Sequence, residues 1–137
     1  MKTLALTSGT ALLWAVLGVG HPTEAGWRRP QPANAPATAR AAANPYEADA
    51  EAVRAGQKLY ERHCVECHGG DARGTRWAPA LVTASVRVAS PGALFWFLTN
   101  GNRRAGMPSW SRLPDARRWQ IVTFLKAANA APTPRRP

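Results

Sequence analysis

Residues 64–68 read Cys-Val-Glu-Cys-His and hold both cysteines of the chain, with an imidazole directly behind the second. No other short stretch restricts the chain as much, because the only two thiols must share one chemistry with their neighbour. Four chemistries use such a pair. A disulfide across so short a loop would constrain the unfolded chain very little. A thioredoxin-like redox pair needs a strand feeding the motif within a βαβ unit, whereas the residues before Cys64 have a helical pattern. Tetrahedral zinc takes four ligands, usually as two separated pairs. Here His63, Cys64, Cys67 and His68 are crowded together and no second cysteine pair exists. Covalent haem attachment has the signature C-x-x-C-H, and physical chemistry favours it. Two thiols on consecutive turns can each add to one vinyl group of a single porphyrin, and His68 then lies beneath the ring as an iron ligand. Nothing distant is needed to hold the group, which accounts for the lack of further cysteines.

A staple of this kind suits the size of the folded part. The chain has 137 residues, but both ends read as something other than domain. Met1-Lys2 followed by the apolar run Ala11–Val19 has the form of a secretory signal. A bilayer span wants about 20 predominantly apolar residues, roughly twice that run. Residues 1–25 are therefore read as a cleaved signal, with an uncleaved membrane anchor as the alternative. Either way the body is exported, to an oxidising compartment. Residues 26–44 are rich in Ala and Pro without an apolar period and read as a linker. Residues 132–137 read as a disordered tail. The remaining domain, residues 45–131, is marginal at roughly 85 residues without a metal, disulfide or cofactor.

Periodicity places helices around the motif. Asn44, Pro45 and Glu47 have the character of a helix cap, first position and capping-box acid. Ala52, Val53, Gly56, Leu59 and Tyr60 then recur at helical spacing and lead to Cys64. Residues 69–82 read as loop from their glycines and Pro79. Ser90-Pro91 opens a second helix that Gly101 ends. Residues 101–110 read as loop again. Asp115 stands in the first turn of a third helix with a stripe of Ile121, Phe124, Leu125 and Ala128. No alternating run of strand length is present, so the expected fold is all-α.

A haem iron held by His68 needs a second ligand or a vacancy. Of the two methionines, Met1 belongs to the leader, and Met107 sits in the loop before the last helix. The common fate of a Met is to fill a core gap, but here it is the only thioether the folded part offers. It is read as the distal iron ligand. His/Met ligation raises the reduction potential and fills both axial positions, which disfavours oxygen or peroxide chemistry.

The segments "CVECH" and "GMP", the helix before the first and the aromatic-containing helix after the second resemble a class I c-type cytochrome of the bacterial, single-haem kind. The resemblance covers roughly residues 48–128. It implies a small cytochrome c fold, three or more helices wrapped around one covalently bound haem c and its iron. In that family the first and last helices cross, and Gly56 and Tyr60 on the first, Ile121 and Phe124 on the last, occupy the matching places. Pro79 matches the family proline whose carbonyl accepts the hydrogen bond of the ligand histidine. Phe124 stands where tyrosine is common, and the His68 to Met107 separation is that of the shorter members. Trp96, Trp110 and Trp119 are read as core or haem-packing residues, with Trp110 the candidate for a propionate contact. His63 is read as a surface residue.

The function expected is a one-electron carrier rather than an enzyme. Alternatives are the haem subunit of a periplasmic dehydrogenase complex, or a haem-based ligand sensor with an open axial position. The net charge of +10 favours redox partner proteins with acidic docking surfaces. Arg103 and Arg104 are either a solvated loop or part of the rim that meets such a partner. Nucleic acid is not expected, since the chain carries none of its recognition motifs. Membrane contact is expected only if the N-terminal segment stays uncleaved.

Overall fold

A glycine inside a helix is costly unless something must come close to it, and Gly56 marks that place. A Cβ built there would lie 2.0 Å from the backbone oxygen of Gln120, so the helices carrying them touch backbone to backbone. These are α2 (Ala50–His63) and α6 (Asp115–Ala130), and their crossing is the frame of the molecule. Tyr60 and Phe124 meet across it with ring centroids 5.3 Å apart, while Ile121 and Val122 are sealed beneath. The crossing expected of Gly56, Tyr60, Ile121 and Phe124 is present in full.

The computed structural model describes residues 31–130. The leader read over 1–25 and the tail read over 132–137 lie outside them. Besides α2 and α6, the chain forms α1 (Ala37–Arg40), α3 (Val65–His68), α4 (Ala84–Val88) and α5 (Pro91–Asn100). Among the described residues there is no strand, only an isolated antiparallel bridge between Asn102 and Met107. The protein is all-α. The core gathers Tyr60, Val86, Leu94, Leu98, Ile121, Val122 and Leu125, with Cys64, Val65 and Met107 packed against it.

Two expectations about the N-terminal side are corrected. The stretch 26–44, read as a linker, is ordered wherever it is described. A 3-10 turn at Pro32–Asn34 and α1 lie on α5, and a Cβ on Gly92 would stand 2.0 Å from the Ala39 carbonyl. Small side chains, which read as linker composition, are what this close approach demands. The first long helix also starts later than Asn44. Asp49 caps it by accepting from the amides of Glu51 and Ala52 at 2.8 and 3.1 Å. Asn44-Pro45-Tyr46-Glu47 instead forms a turn closed by Glu47 N–H to Asn44 C=O, with Pro in the second position. The Asn44 amide is spent elsewhere: it is buried and donates to Thr123 Oγ1 of α6 at 2.8 Å.

The other caps follow the sequence. Ser90 accepts from Ala93 N–H at the start of α5, with Pro91 next, and Gly101 ends that helix at φ 68°. Thr83 caps the short α4 that the sequence reading passed over. Asn129 near the end of α6 holds α4 in place, accepting from Thr83 N–H and donating to Leu81 C=O, each at 2.9 Å.

Candidate haem site

α2 delivers the chain to Cys64, and α3 then turns once through the motif. The amides of Cys67 and His68 both donate to the Cys64 carbonyl, at 3.2 and 2.9 Å. That turn puts Cys64, Cys67 and His68 at i, i+3 and i+4, on one helical face. Cys64 is half-buried, Cys67 is exposed, and the thiols are not joined to each other. Burial, with Cys67 adding to it, pushes the Cys64 thiol up to about 11.

His68 is 8% exposed, and its Nδ1 lies 2.9 Å from the Pro79 carbonyl oxygen. A carbonyl only accepts, so the Nδ1 nitrogen carries a proton, and in the neutral ring Nε2 is then the nitrogen with the lone pair. This is the tautomer a metal-ligating histidine needs, fixed by a backbone oxygen in the manner usual for such ligands. The structure therefore brings Cys64, Cys67, His68 and Pro79 together as the sequence suggested.

The loop 69–82 folds back to hold them. A helix end leaves carbonyls without partners, and here those of Cys67, His68 and Gly69 are supplied. Thr75 Oγ1 donates to Cys67 C=O at 2.6 Å. Gly74 N–H donates to His68 C=O at 2.9 Å. The Tyr60 hydroxyl donates to Gly69 C=O at 2.6 Å. Gly74, at φ 84°, has no room for a side chain, since a Cβ would lie 2.6 Å from the Ala80 amide nitrogen. Tyr60 was read only as a helix-crossing aromatic, and Thr75 was not singled out. Both act through backbone carbonyls, which leave no spacing signal. The Tyr60 phenol is pushed up to about 12, first by burial and then by Cys64 and Asp71.

Met107 approaches from the other side of the sequence. It is half-buried against the core that Cys64 also touches, and its backbone pairs both ways with Asn102, at 2.9 and 3.0 Å. The exposed Arg103 and Arg104 form the 3-10 turn Arg103–Ala105 just before it. His63, expected at the surface, is half-buried instead, because its ring meets Trp110 with centroids 5.1 Å apart. That contact joins the residue before Cys64 to the segment just after Met107. Trp119 is a packing residue, stacked on Phe95 at 4.2 Å. The donor set fits a covalent haem: two thiols and an oriented imidazole on one helical face, and a half-buried thioether against the same core.

Comparisons with known proteins agree. A family model described as "Cytochrome C oxidase, cbb3-type, subunit III" matches residues 51–125. A protein of Azospirillum brasilense described as "Cbb3-type cytochrome c oxidase subunit CcoP" is 40% identical over 91 residues. That match takes in 60% of this chain but only 30% of the relative's length. Among solved structures, cytochrome cL from the marine methylotrophic bacterium Methylophaga aminisulfidivorans MPT superposes with a TM-score of 0.53 at 28% identity. The match covers 60% of this chain and 56% of that one. Cytochrome c family membership implies covalently bound haem with iron. From its helical frame, its motif and these matches, the chain belongs to the cbb3-type subunit III family and is a bacterial class I c-type cytochrome.

Proposed function

We propose that this protein carries single electrons in the bacterial periplasm through one haem c, held by Cys64 and Cys67, with His68 and Met107 as iron ligands. The observation that carries the reading is the His68 Nδ1 contact to Pro79 at 2.9 Å, which leaves Nε2 as a lone-pair donor beside the two thiols. Bound haem would supply a one-electron iron couple tuned by its axial ligands. The protein's own residues do the rest. The Pro79 carbonyl keeps the proton on Nδ1 and fixes the ring of His68. Tyr60, Gly74 and Thr75 hold the turn that presents the imidazole. Apolar side chains around Cys64, Val65 and Met107 exclude water and favour the less charged state of the site. Held by His68 and Met107, the haem would offer no open ligand site and would supply one-electron transfer.

A second reading has specific support. The matched family is named for an oxidase subunit, which supports the chain as the electron-accepting haem domain of an oxidoreductase complex, of cbb3-type oxidase rather than dehydrogenase kind. Both readings use the same site. Among the described residues no helix is long and apolar enough to cross a membrane.

The test is the visible spectrum of protein made in a host with cytochrome c maturation, oxidised and then reduced. Sharp low-spin bands that survive acid-acetone extraction, with the weak far-red band of a sulfur–iron bond, support the proposal. Covalent haem without the far-red band, together with ready carbon monoxide binding, removes Met107 and favours the ligand-sensor alternative. Absence of covalent haem overturns the assignment of Cys64 and Cys67. Co-purification with oxidase subunits separates the complex from the free carrier.

A further inference from the structure

The segment that carries Met107 also finishes α5. The last carbonyls of a helix lack partners within it, and two of those at the end of α5 are filled from beyond the methionine. Trp110 N–H donates to Leu98 C=O at 3.2 Å, and the Ser109 hydroxyl donates to Thr99 C=O at 2.6 Å. A hydroxyl has one proton to give. Since the Thr99 carbonyl can only accept, that proton goes there. The Ser111 hydroxyl at 3.0 Å and the Ser111 amide at 3.3 Å then donate into the Ser109 oxygen.

The receiving end is rigid. The Thr99 hydroxyl donates to Phe95 C=O at 2.7 Å and accepts from the buried guanidinium of Arg118 on α6, which also pairs with Asp115. On the near side of Met107, Asn102 pairs with both of its backbone groups. Gly101 lets the chain pass closely, since a Cβ there would lie 2.3 Å from the Pro108 carbonyl oxygen. A methionine side chain has three rotatable bonds and no strong hydrogen bond of its own. Its place is set by the backbone segment that bears it.

We propose that Ser109 is a positioning residue for Met107, its hydroxyl locking the methionine segment onto α5 and so holding the thioether as an iron ligand. This rests on the reading of Met107 as the distal ligand. Ser109 is exposed, so removing its hydroxyl opens no cavity and should leave the helices intact.

The test uses the full haem-loaded chain and compares Ser109→Ala, Ser109→Thr and Ser111→Ala with wild type. In Ser109→Ala the far-red band should weaken and vanish on heating well before the far-UV helical signal. Carbon monoxide uptake by the reduced protein should quicken roughly fivefold, the factor that losing one neutral hydrogen bond corresponds to. The midpoint potential should fall toward that of a haem lacking its thioether. Ser109→Thr should restore all three, and Ser111→Ala should behave as wild type. The proposal is overturned if Ser109→Ala leaves band, uptake and potential unchanged, or if its band is lost only together with the helical signal. A wild type with no far-red band would instead remove Met107 as ligand and take this inference with it.

Discussion

At position 60 one phenol ties the first long helix to the turn that carries Cys64, Cys67 and His68. Tyr60 is 1% exposed and its hydroxyl closes the Gly69 carbonyl. Tyr60→Phe removes this donor and leaves the Gly69 carbonyl with the Ala72 amide alone, at 3.2 Å, a loss of about 1 kcal/mol in denaturant unfolding at neutral pH. The same residue sets a pH dependence. Its folded value is about 12 against an ordinary 10.0, so between those values the folded state holds a proton that the unfolded state has released. The stabilisation from this group is complete below pH 10 and falls away as pH rises through 12. Absorbance near 295 nm should show the Tyr60 phenolate forming only toward pH 12. Tyr60→Phe should lack that part of the alkaline destabilisation. A phenol titrating at its ordinary value in the folded protein would mean that Tyr60 is not enclosed as described.

The elements meet through glycines and amides more than through large side chains. Gly56→Ala adds a Cβ that would sit 2.0 Å from a backbone oxygen and 2.6 Å from its carbon, so α2 and α6 must separate. The gain in helix propensity, about 1 kcal/mol, is smaller than the cost of forcing the pair apart. We expect a net loss of about 2 kcal/mol or more in denaturant unfolding of the haem-loaded protein, whereas Gly70→Ala, with nothing within 4 Å, should be nearly neutral. Asn44→Ala should cost about 1–2 kcal/mol and expose the arm before residue 44 to proteolysis, because its amide is what fastens that arm to Thr123. Equal proteolysis of variant and wild type would count against this role. These cases mark how far the sequence could be read. Gly56, Tyr60, Ile121 and Phe124 were legible through the family resemblance, which pairs a glycine and an aromatic on the first helix with an aliphatic and an aromatic on the last, and Ser90 with Pro91 because a cap has a chemistry. The arm was not, since close backbone approach and linker flexibility both call for Ala and Pro. The late start of α2 was missed because Asn44 and Asp49 are equally good caps, and only the tertiary bond to Thr123 decides between them. At the site, Cys64, Cys67, His68 and Pro79 could be assembled from the motif and the resemblance. Thr75 and Ser109 could not, since both act on carbonyls that every residue possesses.

Across the whole molecule the charge is unevenly used. The excess of 18 basic over 8 acidic residues includes Arg54, Lys58 and Arg62, spaced by four along α2 and so on one face. Lys58, Arg62 and Arg117 of α6 line one shallow groove, floored by Ala55 and Leu59. All four basic side chains are exposed, and none forms an ion pair among the described residues, where the pairs found are Asp71–Arg73 and Asp115–Arg118. Arg62 is two residues from Cys64, and Lys58 lies about 6 Å further back along the helix axis, so a partner held there stands near the proposed haem attachment. Uncompensated charge of one sign lengthens the reach of attraction toward an acidic surface and is screened by salt within about 10 Å at 0.1 M. The expected outcome is a second-order electron-transfer rate with an acidic redox protein that falls roughly tenfold or more between low salt and 0.3 M. The rate with an uncharged small-molecule reductant should stay flat. Lys58→Gln combined with Arg62→Gln and Arg117→Gln should remove most of the salt dependence, and Arg103→Gln with Arg104→Gln should remove little. If the second pair proves the more damaging, the partner meets the Met107 loop and not the α2/α6 groove. If neither matters, encounter is governed by contact rather than by charge, and the basic balance of the chain has another use.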